Sequence, residues 1–313
     1  MNFPLLSVAI PAYNRPEWFE RALRSIMTLP PAEQKYLEIV VSDDSTKPDC
    51  QEIFNACMAE WLGPRRYVSN SPSLGMAGNW NNCAHIAIGE FVLILHDDDY
   101  LEPDGPESIL VALRENGEYR ALLFGVNVVI PQERIKKRQH FKEKRYLDRE
   151  EALKQVLFNS SFVRFPGIVL RRSIFDQVGY FDETVGGIAD IHLWVRIFHA
   201  CGVLCIPIVT ANYTVHANAL TMNMFNKSVV KELINLFNWI ESQNWLPQDE
   251  LDYCKTNYFN QFVLAGSFRY IKQRNFKLAR ETLRLLENIP IRNHGLSLKW
   301  RIVRQVETIL LQP

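Results

Sequence analysis

The chain has 313 residues, 47% of them apolar and 12% aromatic, enough to bury a sizeable core in one large domain plus an appendage. Its 35 Lys and Arg balance its 35 Asp and Glu, so no bulk attraction to nucleic acid is implied. Six cysteines have neither zinc-ribbon spacing nor the density of a disulfide scaffold, and the start MNFPLLSVAIPAYN carries no basic leader and is too short an apolar run to span a bilayer. A cytoplasmic protein, or one peripheral to the inner face of a membrane, is the expectation.

Strand and helix signals alternate through the first half. Leu5 to Ile10, Leu37 to Ser42, Arg66 to Ser69, Phe91 to Leu95 and Ala121 to Ile130 read as strands. Amphipathic stretches at about 16 to 28, 50 to 62, 76 to 88 and 104 to 116 lie between them. Such alternation predicts an α/β fold with a mostly parallel sheet covered by helices on both faces. Beyond residue 130 come a basic stretch at 136 to 145, a helix at 148 to 158, a mixed region, a helix from Asp190 to about Ala200, a strand from Val203 to Ile208 and a loop at 211 to 222. From about 225 onward strand signals vanish, and 226 to 244, 248 to 273, 276 to 287 and 296 to 311 read as helices broken at Pro247 and Pro290. The expected domains are residues 1–222, the α/β body, and 223–313, a helical region.

The densest chemistry is HDDDY, residues 96 to 100, where Asp97, Asp98 and Asp99 follow a short apolar strand. A buried strand delivers the triplet to the carboxyl edge of the sheet, the ligand edge of open α/β sheets. Three adjacent carboxylates repel and raise one another's pKa, a cost that Mg²⁺ or Mn²⁺ offsets. Parallel strands would bring Pro11 to Asn14 and Asp43-Asp44 to the same edge. A turn of helix-capping Asp residues is the structural alternative.

Five segments in order, SVAIPAYNR, IVVSDDST, AIGEFVLILHDDDYL, VGYFDE and ADIHLWVR, together resemble glycosyltransferase family 2, inverting sugar transferases of the GT-A fold. The resemblance covers about residues 5 to 222. It implies a Rossmann-like GT-A body, a nucleotide-sugar donor (UDP- or dTDP-sugar favoured), Mn²⁺ or Mg²⁺ as cofactor, and a glycan or lipid-linked saccharide acceptor. It places Pro11, Tyr13 and Asp44 at the base, where an aromatic face stacks and a carboxylate accepts a ring N–H, and Asn81 near the ribose and diphosphate. Asp97 falls to the ribose and Asp99 to the metal, with Asp98 open between these roles. His216 matches a histidine near the metal or diphosphate. Asp190, just before the L-W-x-R pattern, is implied as the general base; a helix-cap role is compatible with that.

The implied activity is metal-dependent inverting glycosyl transfer in bacterial surface polysaccharide or lipopolysaccharide synthesis. The alternatives are a sugar-phosphate nucleotidyltransferase, against which the lack of glycines in PAYNRPEWF speaks, and a silent nucleotide-binding module, against which Asp190 speaks. The basic C-terminal helices are either a solvated face or a peripheral contact with anionic membrane.

Overall fold

The computed structural model describes residues 4–130, 134–216, 224–291 and 295–311; the loop expected at 211 to 222 lies outside them from 217 onward. The first half alternates as its periodicity requires: β1 (Leu6–Ala12), α1 (Pro16–Ile26), β2 (Leu37–Asp43), α2 (Asp49–Met58), β3 (Arg65–Ser69), α3 (Gly75–Ile86), β4 (Phe91–Ile94), β5 (Tyr100–Leu101), α4 (Gly105–Glu115) and β6 (Ala121–Ile130). There follow β7 (Arg134–Gln139), β8 (Arg145–Leu147), α5 (Arg149–Phe158), β9 (Ile168–Arg171), α6 (Ile174–Val178), α7 (Ala189–Cys201) and β10 (Val203–Thr214). The chain then turns helical, with α8 (Lys227–Ser242), α9 (Gln248–Lys272), α10 (Phe276–Leu283) and α11 (Leu298–Leu310).

These elements form two compact units that interleave in sequence: one is residues 1–148, 163–183 and 200–216, the other 149–162, 184–199 and 217–313. The last crossing between the units lies at 216/217. The earlier crossings put α5 and most of α7 in the helical unit. There Ala152, Leu153, Val156 and Leu157 bury the inner face of α5, Lys154 pairs with Glu250 on α9, and Gln261 of α9 donates to the Phe158 carbonyl. Among the described residues no helix is long and apolar enough to cross a membrane.

In the first unit the sheet runs β3-β2-β1-β4-β9-β6-β10-β5, with β7 on β6 and β8 on β10. The parallel expectation holds from β3 to β4. Beyond β4 the sheet is mixed, because β9 runs antiparallel between β4 and β6 while β6 and β10 are parallel. Period-two alternation sorts the faces of β1. Leu6, Val8, Ile10 and Ala12 join one apolar cluster with Phe19, Leu23 and Ile26 of α1, Phe54 of α2 and Ile109 and Leu113 of α4. Towards α3, polar contacts join the apolar packing of Trp80, Cys83 and Ala84: Asn82 donates to Ser42 and Asn79 to the Ala12 carbonyl. Helices therefore cover both faces.

Pairing of Ala12 with Asp43, and of Ala9 with Ile94, ends β1, β2 and β4 along one edge. Pro11, which has no N–H to give, lies beyond the last β1–β4 pair. The opposite end of the sheet is made less regular by β10. Expected to stop at Ile208, it continues to Thr214 through register shifts between Ile206 and Val209 and between Val209 and Ala211. Pro207 sits inside the first shift, where the ladder tolerates a missing donor. That continuation carries Thr214 and His216 to the carboxylate edge.

Candidate active site

The site is built where β1, β4 and β10 end. Asp97 is buried; one of its oxygens accepts the Tyr13 backbone N–H at 2.9 Å and the other accepts Arg15 at 3.1 Å. Asp98 accepts the same Arg15 guanidinium at 2.6 Å and lies 2.9 Å from His216 Nε2. Asp99, 1% exposed, accepts the Thr214 N–H through Oδ1 at 2.8 Å. Arg21 donates to the Asp98 carbonyl and to Thr214 Oγ1, so it ties β10 to the triplet.

The three neighbours do not titrate alike. Burial pushes the Asp97 carboxyl up to about 7, although Arg15 pulls the other way. Burial and the Asp98 charge push Asp99 well above the carboxylate range. Burial also opposes ionisation of Asp98, but the His216 hydrogen bond, His96 and Arg15 together outweigh it and hold this carboxyl low. Mutual repulsion alone would have raised all three; the three basic groups around Asp98 single it out as the ionised member.

His96 Nε2 and Asp99 Oδ2 are buried and, among the described residues, have no hydrogen-bond partner. Burial lowers the His96 pKa to about 4, leaving a neutral imidazole with a lone pair to donate. One ligand atom from each of His96, Asp98 and Asp99 lies within 4.8 Å of the others. Two carboxylates and one imidazole, two of them with unmet polar atoms, fit a divalent cation. The His96 ring is held in place by Trp80, stacked at 5.3 Å, and by Phe165 at 4.2 Å. Trp80 thus packs, and Phe165 is buried beside it.

Other expected residues take different places. Tyr13 is 54% exposed, and its backbone N–H is the one that Asp97 accepts. Asn14 next to it adopts a positive φ of 53°, which its side chain stabilises by accepting from Thr46 N and Oγ1. Asn14, Pro16, Ser45, Thr46, Lys47, Asp49 and Cys50 line a cavity of about 350 Å³ between the loops after β1 and β2.

Asp44 accepts from the chain itself. Asn70 Nδ2 and Leu74 N donate to its Oδ1 at 2.7 and 3.1 Å, while Ser73 Oγ and Gly75 N donate to its Oδ2 at 2.9 Å each. Its four lone-pair directions are taken by the loop that opens α3, so in this structure Asp44 shapes that loop. Asn81 is likewise engaged within the chain: its amide donates to the Phe181 carbonyl and to Glu183 and accepts the Phe181 N–H, fastening α3 to the turn after α6. Asp190 belongs to the helical unit. It stands in the first turn of α7, which starts one residue before the expected Asp190, and its Oδ1 accepts the Ile191 N–H at 2.7 Å.

Arg15 and His96 were missed as site residues. The signal for Arg15 was its place in SVAIPAYNR, where a cation one loop away from three acids has an obvious partner. His96 was masked by the carboxylates that follow it.

An α/β sheet with an acidic, cation-fitting carboxyl edge is the architecture of GT-A nucleotide-sugar-dependent enzymes, and solved structures of that fold superpose on this chain. TarS 1-349 from S. aureus in complex with UDP-GlcNAc has a TM-score of 0.66 at 16% identity, over 98% of this chain and 90% of that one. The mannosyltransferase PcManGT from Pyrobaculum calidifontis in complex with GDP-Man and Mn²⁺ has a TM-score of 0.59 at 16% identity, over 99% of this chain and 86% of that one. The family model described as Glycosyl transferase family 2 matches residues 7–179; the chain belongs to that family. A relative from Campylobacter jejuni, GalNAc(5)-diNAcBac-PP-undecaprenol beta-1,3-glucosyltransferase, is 28% identical over 62% of this chain and 60% of its own. The chain spans about 60 to 65% of the length of the curated relatives it matches first.

Proposed function

We propose that this protein is a metal-dependent inverting glycosyltransferase that moves a sugar from a nucleotide-sugar to a hydroxyl of a glycan or lipid-linked saccharide. The observation that carries the reading is the clustering of His96, Asp98 and Asp99, two of them with buried, unmet polar atoms, at the carboxyl edge of a family 2 fold. His96, Asp98 and Asp99 would hold the cation, with His216 beside Asp98. When bound, the cation supplies charge neutralisation for the departing nucleoside diphosphate. A nitrogen donor in the set favours Mn²⁺ over Mg²⁺.

The chain's own residues supply the rest. Tyr13 offers an aromatic face to the base of a UDP- or dTDP-sugar, and Pro11 and the Asn14 turn fix where that ring stands. Asp97 reaches the ribose hydroxyls once Arg15 releases it. The Arg15 guanidinium, now on Asp97 and Asp98, is a ready countercharge for phosphate. Asp190 takes the proton of the acceptor hydroxyl, and a single displacement with one base inverts the anomeric centre. A saccharide on a polyprenyl diphosphate is the acceptor suggested by the name of the C. jejuni relative, and bacterial surface polysaccharide or lipopolysaccharide synthesis is the setting.

Incubating the protein with nucleotide-sugars and Mn²⁺ and resolving the products tests the reading. Nucleoside diphosphate with a product of opposite anomeric configuration supports it. Pyrophosphate would instead mark a nucleotidyltransferase, and no turnover with any donor a silent module.

A further inference from the structure

Helix α11 is unusual in the direction its apolar residues face. Leu298, Ile302, Val306 and Ile309 are 64, 51, 48 and 64% exposed, and their spacing of four, four and three sets them in one stripe along the helix. The opposite side is the packed one, and it carries the helix's only acid. Glu307 is 2% exposed and lies beside Ser267 of α9, where burial raises its carboxyl above the ordinary range. A helix that buries its carboxylate and shows a row of branched aliphatics outward has a face that water does not satisfy.

Charge selects what meets that face. Lys299 and Arg301, both exposed, flank the stripe on its two sides, and no exposed acid stands on α11 to balance them. From Arg269 to the end of the chain there are ten Lys or Arg against three acids, Glu281, Glu287 and Glu307. A second copy of the chain, paired symmetrically through this stripe, would bring Lys299 and Arg301 against their own counterparts or one another. A bilayer with anionic headgroups satisfies both parts at once: acyl chains cover the aliphatic row while the cations stay at headgroup level.

We propose that the outward face of α11 is a membrane-docking surface that lies in the interface of an anionic bilayer, with Leu298, Ile302, Val306 and Ile309 inserted and Lys299 and Arg301 on phosphates. This goes beyond the catalytic reading and stands without it, since docking is measured with no nucleotide-sugar present. The full chain is sedimented with vesicles of phosphatidylcholine alone and of phosphatidylcholine mixed with phosphatidylglycerol. The parent binds the anionic vesicles, the bound fraction falls as salt is raised, and Ile302→Asp with Ile309→Asp weakens binding by roughly tenfold or more. Both positions are exposed, so circular dichroism and melting should match the parent. Lys299→Glu with Arg301→Glu provides a second variant that leaves the aliphatic row intact and removes the preference for anionic vesicles.

Failure of the parent to bind anionic vesicles overturns the proposal, as does equal binding by both variants. Sedimentation velocity gives a monomer without vesicles; a dimer that the Asp pair dissociates would assign the stripe to a second copy instead.

Discussion

Replacing Asp44 separates a loop-shaping role from a base-binding one. Its carboxylate receives four donors from Asn70, Ser73, Leu74 and Gly75, and it is 4% exposed. Hydrogen bonds to a charged group contribute about 1.5 to 3 kcal/mol each when their partners have no substitute. Here the substitutes are good. Asn70 Nδ2 also reaches Ser42 and Asn79, and Ser73, Leu74 and Gly75 are exposed, so water can take up their donors. Asp44→Ala is therefore expected to lose roughly 2 to 4 kcal/mol rather than the full sum. Asp44→Asn keeps the acceptor at one oxygen but turns an amide N–H₂ toward donors at the other, for a loss of about 1 to 2 kcal/mol. Urea unfolding followed by tryptophan fluorescence measures both, and titration with uridine and guanosine diphosphates measures base preference. The expectation is two destabilised variants with an unchanged ratio of the two nucleotide affinities. Asn stability within about 0.5 kcal/mol of the parent, with uridine affinity alone collapsing, would refute the loop-shaping account.

Four further outcomes follow from the same geometry. His96→Ala and Asp98→Asn should each weaken Mn²⁺ binding by roughly tenfold or more in calorimetry, with His96→Ala narrowing the margin over Mg²⁺; unchanged Mn²⁺ affinity would remove either from the ligand set. Because Asp99 of the ligand set is raised and Asp97 beside it holds its proton up to about 7, a cation competes with the proton on Asp99 and is favoured further as Asp97 ionises. Mn²⁺ affinity should climb as pH rises towards and through 7, with proton release visible in buffers of different ionisation enthalpy, and a flat profile would contradict the assigned shifts. Asp190→Asn should leave donor affinity near the parent's while transfer falls by roughly 10²-fold or more; retained turnover would exclude it as the base. Glu307 is raised by burial, so the fold keeps a proton that the unfolded chain has lost. That contribution is whole below the ordinary carboxylate pKa and is lost as pH climbs through the raised value. Glu307→Gln should therefore gain in melting temperature relative to the parent from acid to neutral pH, and a constant gap would be the failing result.

The strands and helices that alternate in hydrophobic period were readable because each carries its own signal. β1, β2, β4 and β6 lie within two residues of expectation at each end. What escaped was organisation set by partners distant in the chain. β7 is KKR-rich and almost wholly exposed, an edge strand whose charges protect an open ladder and hide its strand character. β9, four residues long, gains its place only by pairing with β4 and β6. Pro207 ended the reading of β10, although a register shift absorbs it. Within the site, the order of carboxylates was plain but their division of labour was not. His216 and Arg15, which with His96 hold Asp98 ionised, both reach it from more than eighty residues away. Asp44 and Asn81 carry polar groups suited to a ligand, and only the fold discloses that the loops at 70–75 and 181–183 already use them.

The central claim is that the cluster at the end of β4 binds a cation in order to break a nucleotide-sugar. Release of nucleoside diphosphate from a panel of nucleotide-sugars, in Mn²⁺ and in chelator, by the parent and by Asp98→Asn, tests it most directly. The account predicts release from at least one donor by the parent in Mn²⁺, none in chelator, and a loss of roughly 10²-fold or more with Asp98→Asn. Release that persists in chelator, or that survives unchanged in the variant, would contradict it.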